Sequence, residues 1–140
     1  MRKTFSLVAT AGAALLAGNL AMMPVAAAGG ALPDGKGCKK LEKPDAAMKG
    51  WCLMVNRKKG NCLACHDVVT TKWPASLPAA GNIGPPLVSM KTRFPDKAKL
   101  RAQIWDATVM NPNSSMIPFG RHKALSEGDI DNIVTFLYTI

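Results

Sequence analysis

The sequence predicts an all-α domain of three to five helices wrapped around one covalently bound group. Three observations carry this. Apolar residues recur at helical spacing in three stretches, Met48 to Val55, Leu100 to Val109 and Ile130 to Tyr138, each preceded by a capping residue. The stretch from Asp67 to Met90 is punctuated by Pro74, Pro78, Gly81, Gly84, Pro85 and Pro86. It is too long for a plain connection and needs an organiser other than its own secondary structure. Between the first helical stretch and this loop stands Cys62-Leu63-Ala64-Cys65-His66.

The chain opens with Met1-Arg2-Lys3, a short basic segment, and an apolar run from Phe5 through Met23. Val25-Ala26-Ala27-Ala28 offers a small-residue cleavage site, so residues 1–28 read as a secretory signal peptide with Gly29 first in the mature chain. The run is rich in Ala and Gly, is interrupted by Asn19 and ends at Pro24 without stop-transfer charges, which argues against a retained anchor. No membrane span is expected after cleavage, and the compartment expected is the periplasm. Residues 29–43 form an N-terminal arm and 44–140 one small domain. Removing Arg2 and Lys3 lowers the formal charge from +9 to +7, because every acidic residue lies in the mature part. Such a surface favours acidic protein partners or simple solubility. Nucleic acid is not expected as a partner, since the chain is exported and shows no interleaving of basic and aromatic residues.

The first helix opens at Pro44-Asp45 and carries Met48, Trp51, Cys52 and Val55 on one stripe. Arg57-Lys58-Lys59 is expected in its last turn, where cations suit the helix dipole, with Gly60 as the stop. These cations also stand directly before the cysteine motif, where they would form a basic rim that steers a partner. Cys38 and Cys52 are an even pair in an oxidising compartment and are expected to form a structural disulfide. The loop it closes has about 15 residues, worth roughly 3 kcal/mol in the chain-entropy model. Two unpaired thiols are the alternative.

Cys62-Leu63-Ala64-Cys65-His66 has the C-x-x-C-H spacing of c-type haem attachment. Two thiols on one turn can each add across a vinyl group of the same porphyrin. The adjacent His66 then supplies an imidazole nitrogen to the iron. A redox dithiol would not need the histidine. A zinc site would need further ligands, and no second C-x-x-C or H-x3-5-H follows. One haem c is therefore expected, bound covalently by Cys62 and Cys65. A metal-bound histidine donates its other ring N–H to a fixed acceptor. The proline-stiffened turn Gly84-Pro85-Pro86-Leu87 is suited to supply one, and the carbonyl of Pro85 is the candidate.

A second helix is capped by Asp96 and is expected to run to Asn111-Pro112, with Leu100, Ile104 and Thr108 in one row and Trp105 and Val109 in the next. Ser126 and Asp129 match a capping box for the last helix, and Leu125 with Ile130 fits a hydrophobic staple. Ile130, Ile133, Val134, Leu137 and Tyr138 form its apolar face. Met90, Met110, Met116 and His122 are the candidates for the second axial position. Met110 reads as a packing residue at a helix end, and His122 stands between Arg121 and Lys123 in a solvent-like setting. Met116 lies in a loop of small polar residues closed by Pro118, with little packing of its own, and is the preferred ligand. A His/Met pair raises the reduction potential and fills both axial positions, which makes an electron-transfer site.

Leader, C-x-x-C-H, Gly-Pro-Pro-Leu turn, Met-x-Pro loop and terminal amphipathic helix together resemble the class I cytochrome c family over the whole mature chain. Residues 57–66, Gly81 to Leu87, Ala102 to Asp106 and Asn111 to His122 resemble more particularly the SoxX family, small subunits of SoxXA thiosulfate-oxidising cytochromes. The resemblance implies a small class I cytochrome c-like fold and a heterodimer with a SoxA-like cytochrome. That complex, an L-cysteine S-thiosulfotransferase, attaches thiosulfate to a cysteine of a SoxYZ-like carrier protein. Its bond-forming haem would lie in the SoxA-like partner, leaving no catalytic residue in this chain. Here His66 and Met116 would hold a relay haem that passes electrons to a soluble acceptor cytochrome. A free-standing soluble electron carrier is the alternative. The arm with Cys38, and its partner Cys52, lie outside the class I pattern.

Overall fold

A computed structural model describes residues 30–140, and the signal-peptide expectation for 1–28 lies outside the described residues. The described chain forms helices α1 (Gly35–Cys38), α2 (Ala46–Val55), α3 (Met90–Arg93), α4 (Lys97–Trp105) and α5 (Glu127–Leu137). Short 3-10 turns stand at Cys62–Ala64 and Ala107–Val109. Extended pairing among the described residues is limited to an isolated parallel bridge between Val68 and Leu87. The fold is all-α, as the helical periodicities require. None of the described helices is long and apolar enough to cross a membrane.

The core forms where α2 crosses α5. Trp51 and Met54 from α2 and Ile130 and Ile133 from α5 are almost wholly excluded from solvent. Close approach of the two backbones depends on Gly50. A Cβ there would stand 2.1 Å from the carbonyl oxygen of Asn132, a backbone atom that cannot swing away. Gly50→Ala is therefore expected to cost about 2–3 kcal/mol, read as a lowered denaturant midpoint at unchanged slope. An unchanged midpoint would mean that α2 and α5 do not pack this closely.

Both helices start as their sequences direct. Asp45 caps α2 by accepting from the Met48 N–H at 2.7 Å. Ser126 and Asp129 form the reciprocal capping box of α5, at 3.1 and 3.2 Å. The end of α2 differs from expectation. The helix stops at Val55, so Arg57, Lys58 and Lys59 lie beyond its last turn, exposed. Asn56 breaks it, adopting an extended backbone while its side chain accepts from the Lys58 N–H at 2.9 Å. Gly60 serves the return of the chain over the helix end: its N–H reaches the Leu53 carbonyl at 3.2 Å, and a Cβ would stand 2.8 Å from that oxygen.

The helix that Asp96 opens is also shorter than its apolar pattern. It ends at Trp105, because Asp106 turns extended and caps the 3-10 turn instead. The break takes the next row out of register, and Val109 is 79% exposed rather than core-facing. Arg101 of α4 spans to α5, donating to Asp131 at 2.6 Å and Glu127 at 3.1 Å. Tyr138 closes the far end by donating its hydroxyl to the Phe94 carbonyl.

Cys38 and Cys52 form a disulfide, the pairing expected from their count. It is one of several ties on the arm. The Trp51 indole donates to the Pro33 carbonyl at 2.6 Å, and the Leu32 N–H to the Lys72 carbonyl at 2.8 Å. Ser76 donates to Asp34 at 2.9 Å. The arm packs on the domain as part of its core cover.

Candidate functional site

Cys62, Cys65 and His66 lie on one tight turn. Asn61 enters it in the left-handed region at φ 47°, a conformation asparagine tolerates better than most residues. The Cys65 and His66 N–H groups then both donate to the Cys62 carbonyl, at 3.2 and 2.9 Å. The neighbouring loop is bound to this turn through its backbone. Gly81 N–H donates to the Leu63 carbonyl at 2.9 Å, and Gly84 N–H to the Cys65 carbonyl at 2.7 Å. Two glycines permit that approach: a Cβ on Gly81 would stand 2.1 Å from the Ala64 oxygen, and one on Gly84 would stand 2.3 Å from the His66 ring.

His66 Nδ1 lies 2.8 Å from the Pro85 carbonyl oxygen. A carbonyl oxygen only accepts, so the contact places a proton on Nδ1 and, in the neutral ring, leaves the lone pair on Nε2. The turn that offers this carbonyl is itself held, since Arg93 of α3 donates to the adjacent Pro86 carbonyl at 2.7 Å. Arg93 carries no local sequence signal for that part. Only the fold brings it back to the turn.

The three motif residues face a cavity of about 580 Å³. That size falls in the roughly 300–1,000 Å³ range of cofactor sites. Its lining is largely apolar, with Met54, Leu100, Ile104, Phe119, Ile133 and Leu137 in it, and also takes in the polar Asn111, Asn113 and Ser114. Met116 is a wall residue as well, half-buried, with its N–H held by the Ser114 hydroxyl at 3.2 Å. The other methionines fall out differently. Met90 is buried in the core at the cavity wall. Met110 is 61% exposed at the cavity edge, not the packing residue its position after a helical pattern predicts. His122 is exposed and does not line the cavity.

These residues fit a covalently held haem. The walls suit a flat apolar macrocycle, two thiols and an imidazole stand on one turn at its edge, and a thioether lies in the loop that borders it. The set suits the alternatives poorly. Burial pushes the Cys62 thiol up to about 12, whereas a redox dithiol works through a thiolate of lowered pKa. Among the described residues no three His, Cys, Asp or Glu side chains cluster as a metal ion would need.

The segment that carries Met116 is fastened at its two ends. Trp105 O accepts from the N–H groups of Gly120 and Arg121, at 3.1 and 3.3 Å. Gly120 lies against the Trp105 ring, with no room for a Cβ, which would come within 2.1 Å of it. Beside this pair, buried Asp106 accepts from the Thr108 hydroxyl at 2.6 Å and from the Arg121 guanidinium at 3.1 Å. The Thr108 hydrogen bonds, with Arg121 and His122 nearby, hold the Asp106 carboxyl below its ordinary value.

No family model matches the chain. It is similar to an uncharacterized lipoprotein of Aquifex aeolicus (strain VF5), 35% identical over 81 residues. The match covers 58% of this chain and 37% of that lipoprotein. The chain thus spans little more than a third of the length of that relative.

Proposed function

We propose that the chain is an exported mono-haem cytochrome of the class I c type, acting as a one-electron relay. The observation that carries this is the meeting of Cys62, Cys65, His66 and Met116 around one apolar cavity. A haem bound there supplies reversible one-electron chemistry between its ferric and ferrous states. Cys62 and Cys65 hold it by thioether bonds. Pro85 keeps the His66 proton on Nδ1, so that Nε2 would be the nitrogen offered to the iron. Met116 would hold the iron through its thioether, which would raise the potential and leave no position for a substrate. Export is supported by the leader, by the Cys38–Cys52 disulfide and by the likeness to a protein named as a lipoprotein.

Within that class we favour a SoxX-like subunit of a SoxXA-type thiosulfate-oxidising complex in the periplasm. Bond formation to the SoxYZ-like carrier would belong to a SoxA-like partner, and a soluble cytochrome would accept the electrons. One feature favours a subunit over a free-standing carrier. Ile83, Met110 and Ile117, respectively 76%, 61% and 52% exposed, all stand at the cavity. Three large exposed apolar side chains around one cavity are the kind of surface that a lasting partner covers.

Met116→Ala tests the site. The purified ferrous variant is expected to lose its low-spin spectrum, and unchanged bands would remove Met116 from the iron. Copurification tests the role. Elution of the native protein alone from thiosulfate-grown cells would overturn the subunit reading and leave the carrier.

A further inference from the structure

We infer that the Asp106–Arg121 ion pair is a clasp that holds the segment 107–120 over the cavity and so positions Met116. This rests on the reading of Met116 as a ligand, whereas the fastening of the segment can be measured without it. The segment does little to hold itself in place. Val109 is 79% exposed, Met110 61% and Ile117 52%, and Asn111, Pro112 and Asn113 are exposed as well. A stretch with so few buried contacts takes its position from its ends.

Those ends are built differently from the middle. Ala107 is fully buried on one side, and Pro118 and Phe119 are buried on the other. Between the ends run the two backbone hydrogen bonds to Trp105 and the contact of Arg121 Nη1 with Asp106 Oδ2 at 3.1 Å. Asp106 is only 5% exposed. A carboxylate so placed must have its oxygens satisfied, and it takes them from both sides of the closure: Thr108 from within the segment, Arg121 from beyond it. Without the Arg121 contact, a buried charge keeps partners only on the segment's own side. With Asn at 106, the charge-assisted bond to Arg121 is lost while the packing volume stays. Either change removes the side-chain part of the closure and leaves the backbone bonds to Trp105 as its hold, without touching Met116 or the cavity wall.

The test compares Asp106→Asn, Arg121→Gln and Arg121→Lys with the unaltered full-length protein carrying its haem. Amide hydrogen exchange across 107–119 is expected to quicken about tenfold in Asp106→Asn and Arg121→Gln, with α2 and α5 unchanged. Arg121→Lys, which keeps the charge, is expected to recover part of the protection. Imidazole, titrated against the ferric protein, must displace Met116 to bind. Its affinity is expected to rise about tenfold in the same two variants. Unchanged exchange in 107–119, or an equal rise in α2 and α5, would overturn the clasp. Faster exchange with unchanged imidazole affinity would overturn the positioning of Met116. In Met116→Ala imidazole should bind tightly whatever stands at position 106. If Met116→Ala binds imidazole no better than the unaltered protein, the ligand reading fails, and the exchange data alone decide the clasp.

Discussion

The Cys62→Ala/Cys65→Ala double variant is expected to run in denaturing mass spectrometry at the mass of its polypeptide, while the unaltered chain carries the added mass of one haem. The effect is all or none, because thioether bonds survive denaturation and axial coordination does not. Single variants are expected to retain one thioether at reduced yield. The geometry behind this is the turn at Cys62–Ala64, which keeps both sulfurs at one cavity edge, with His66 following through its N–H bond of 2.9 Å to the Cys62 carbonyl. An unaltered chain without added mass, and with its motif cysteines oxidised to each other, would replace the haem reading by a redox dithiol.

Trp51→Ala is expected to destabilise the protein by about 3–5 kcal/mol, a large share of the roughly 5–15 kcal/mol typical of a folded domain. Trp51 is fully buried on α2. Its ring centroid lies 5.3 Å from Phe136 of α5 and 6.2 Å from Trp73 of the long loop, and its indole donates to Pro33 of the arm at 2.6 Å. One side chain thus joins the helix crossing, the loop and the arm. Denaturant unfolding measures the loss, and Trp51→Phe separates packing from hydrogen bonding. That variant keeps most of the ring contacts and forfeits the bond to Pro33, for about 1–2 kcal/mol. A loss under about 1 kcal/mol in Trp51→Ala would show that the arm and core do not depend on one another through this residue.

Much of this molecule is legible residue by residue. Asp45, Asp96 and Ser126 cap the helices they precede, since a cap needs only its own side chain and the N–H groups two or three residues on. The disulfide follows from an even count of cysteines once the motif pair is set aside. The contact between His66 and Pro85 spans 19 residues, yet it is legible, because a motif histidine needs a fixed acceptor and a proline-stiffened turn supplies a fixed carbonyl. Helix ends are less legible. The apolar period continues past Trp105, yet Asp106 finds Arg121 and Thr108 and leaves the helix. Periodicity counts only neighbours along the chain. The competing partner lies 15 residues away and is invisible to it.

The same division holds for the candidate site. The residue types and spacing of Cys62, Cys65 and His66 state an attachment chemistry without any coordinates, because that chemistry is local to one turn. Met116 and the Pro85 carbonyl could be named from their loops, but that Met54, Met90 and Met110 share the cavity with Met116, and how Arg93 and Asp106 brace the two loops, are matters of tertiary structure. Each depends on segments far apart in the chain meeting across a core formed by the crossing of α2 and α5. A backbone approach that only Gly50 allows sets that crossing, and no pattern within either helix encodes it.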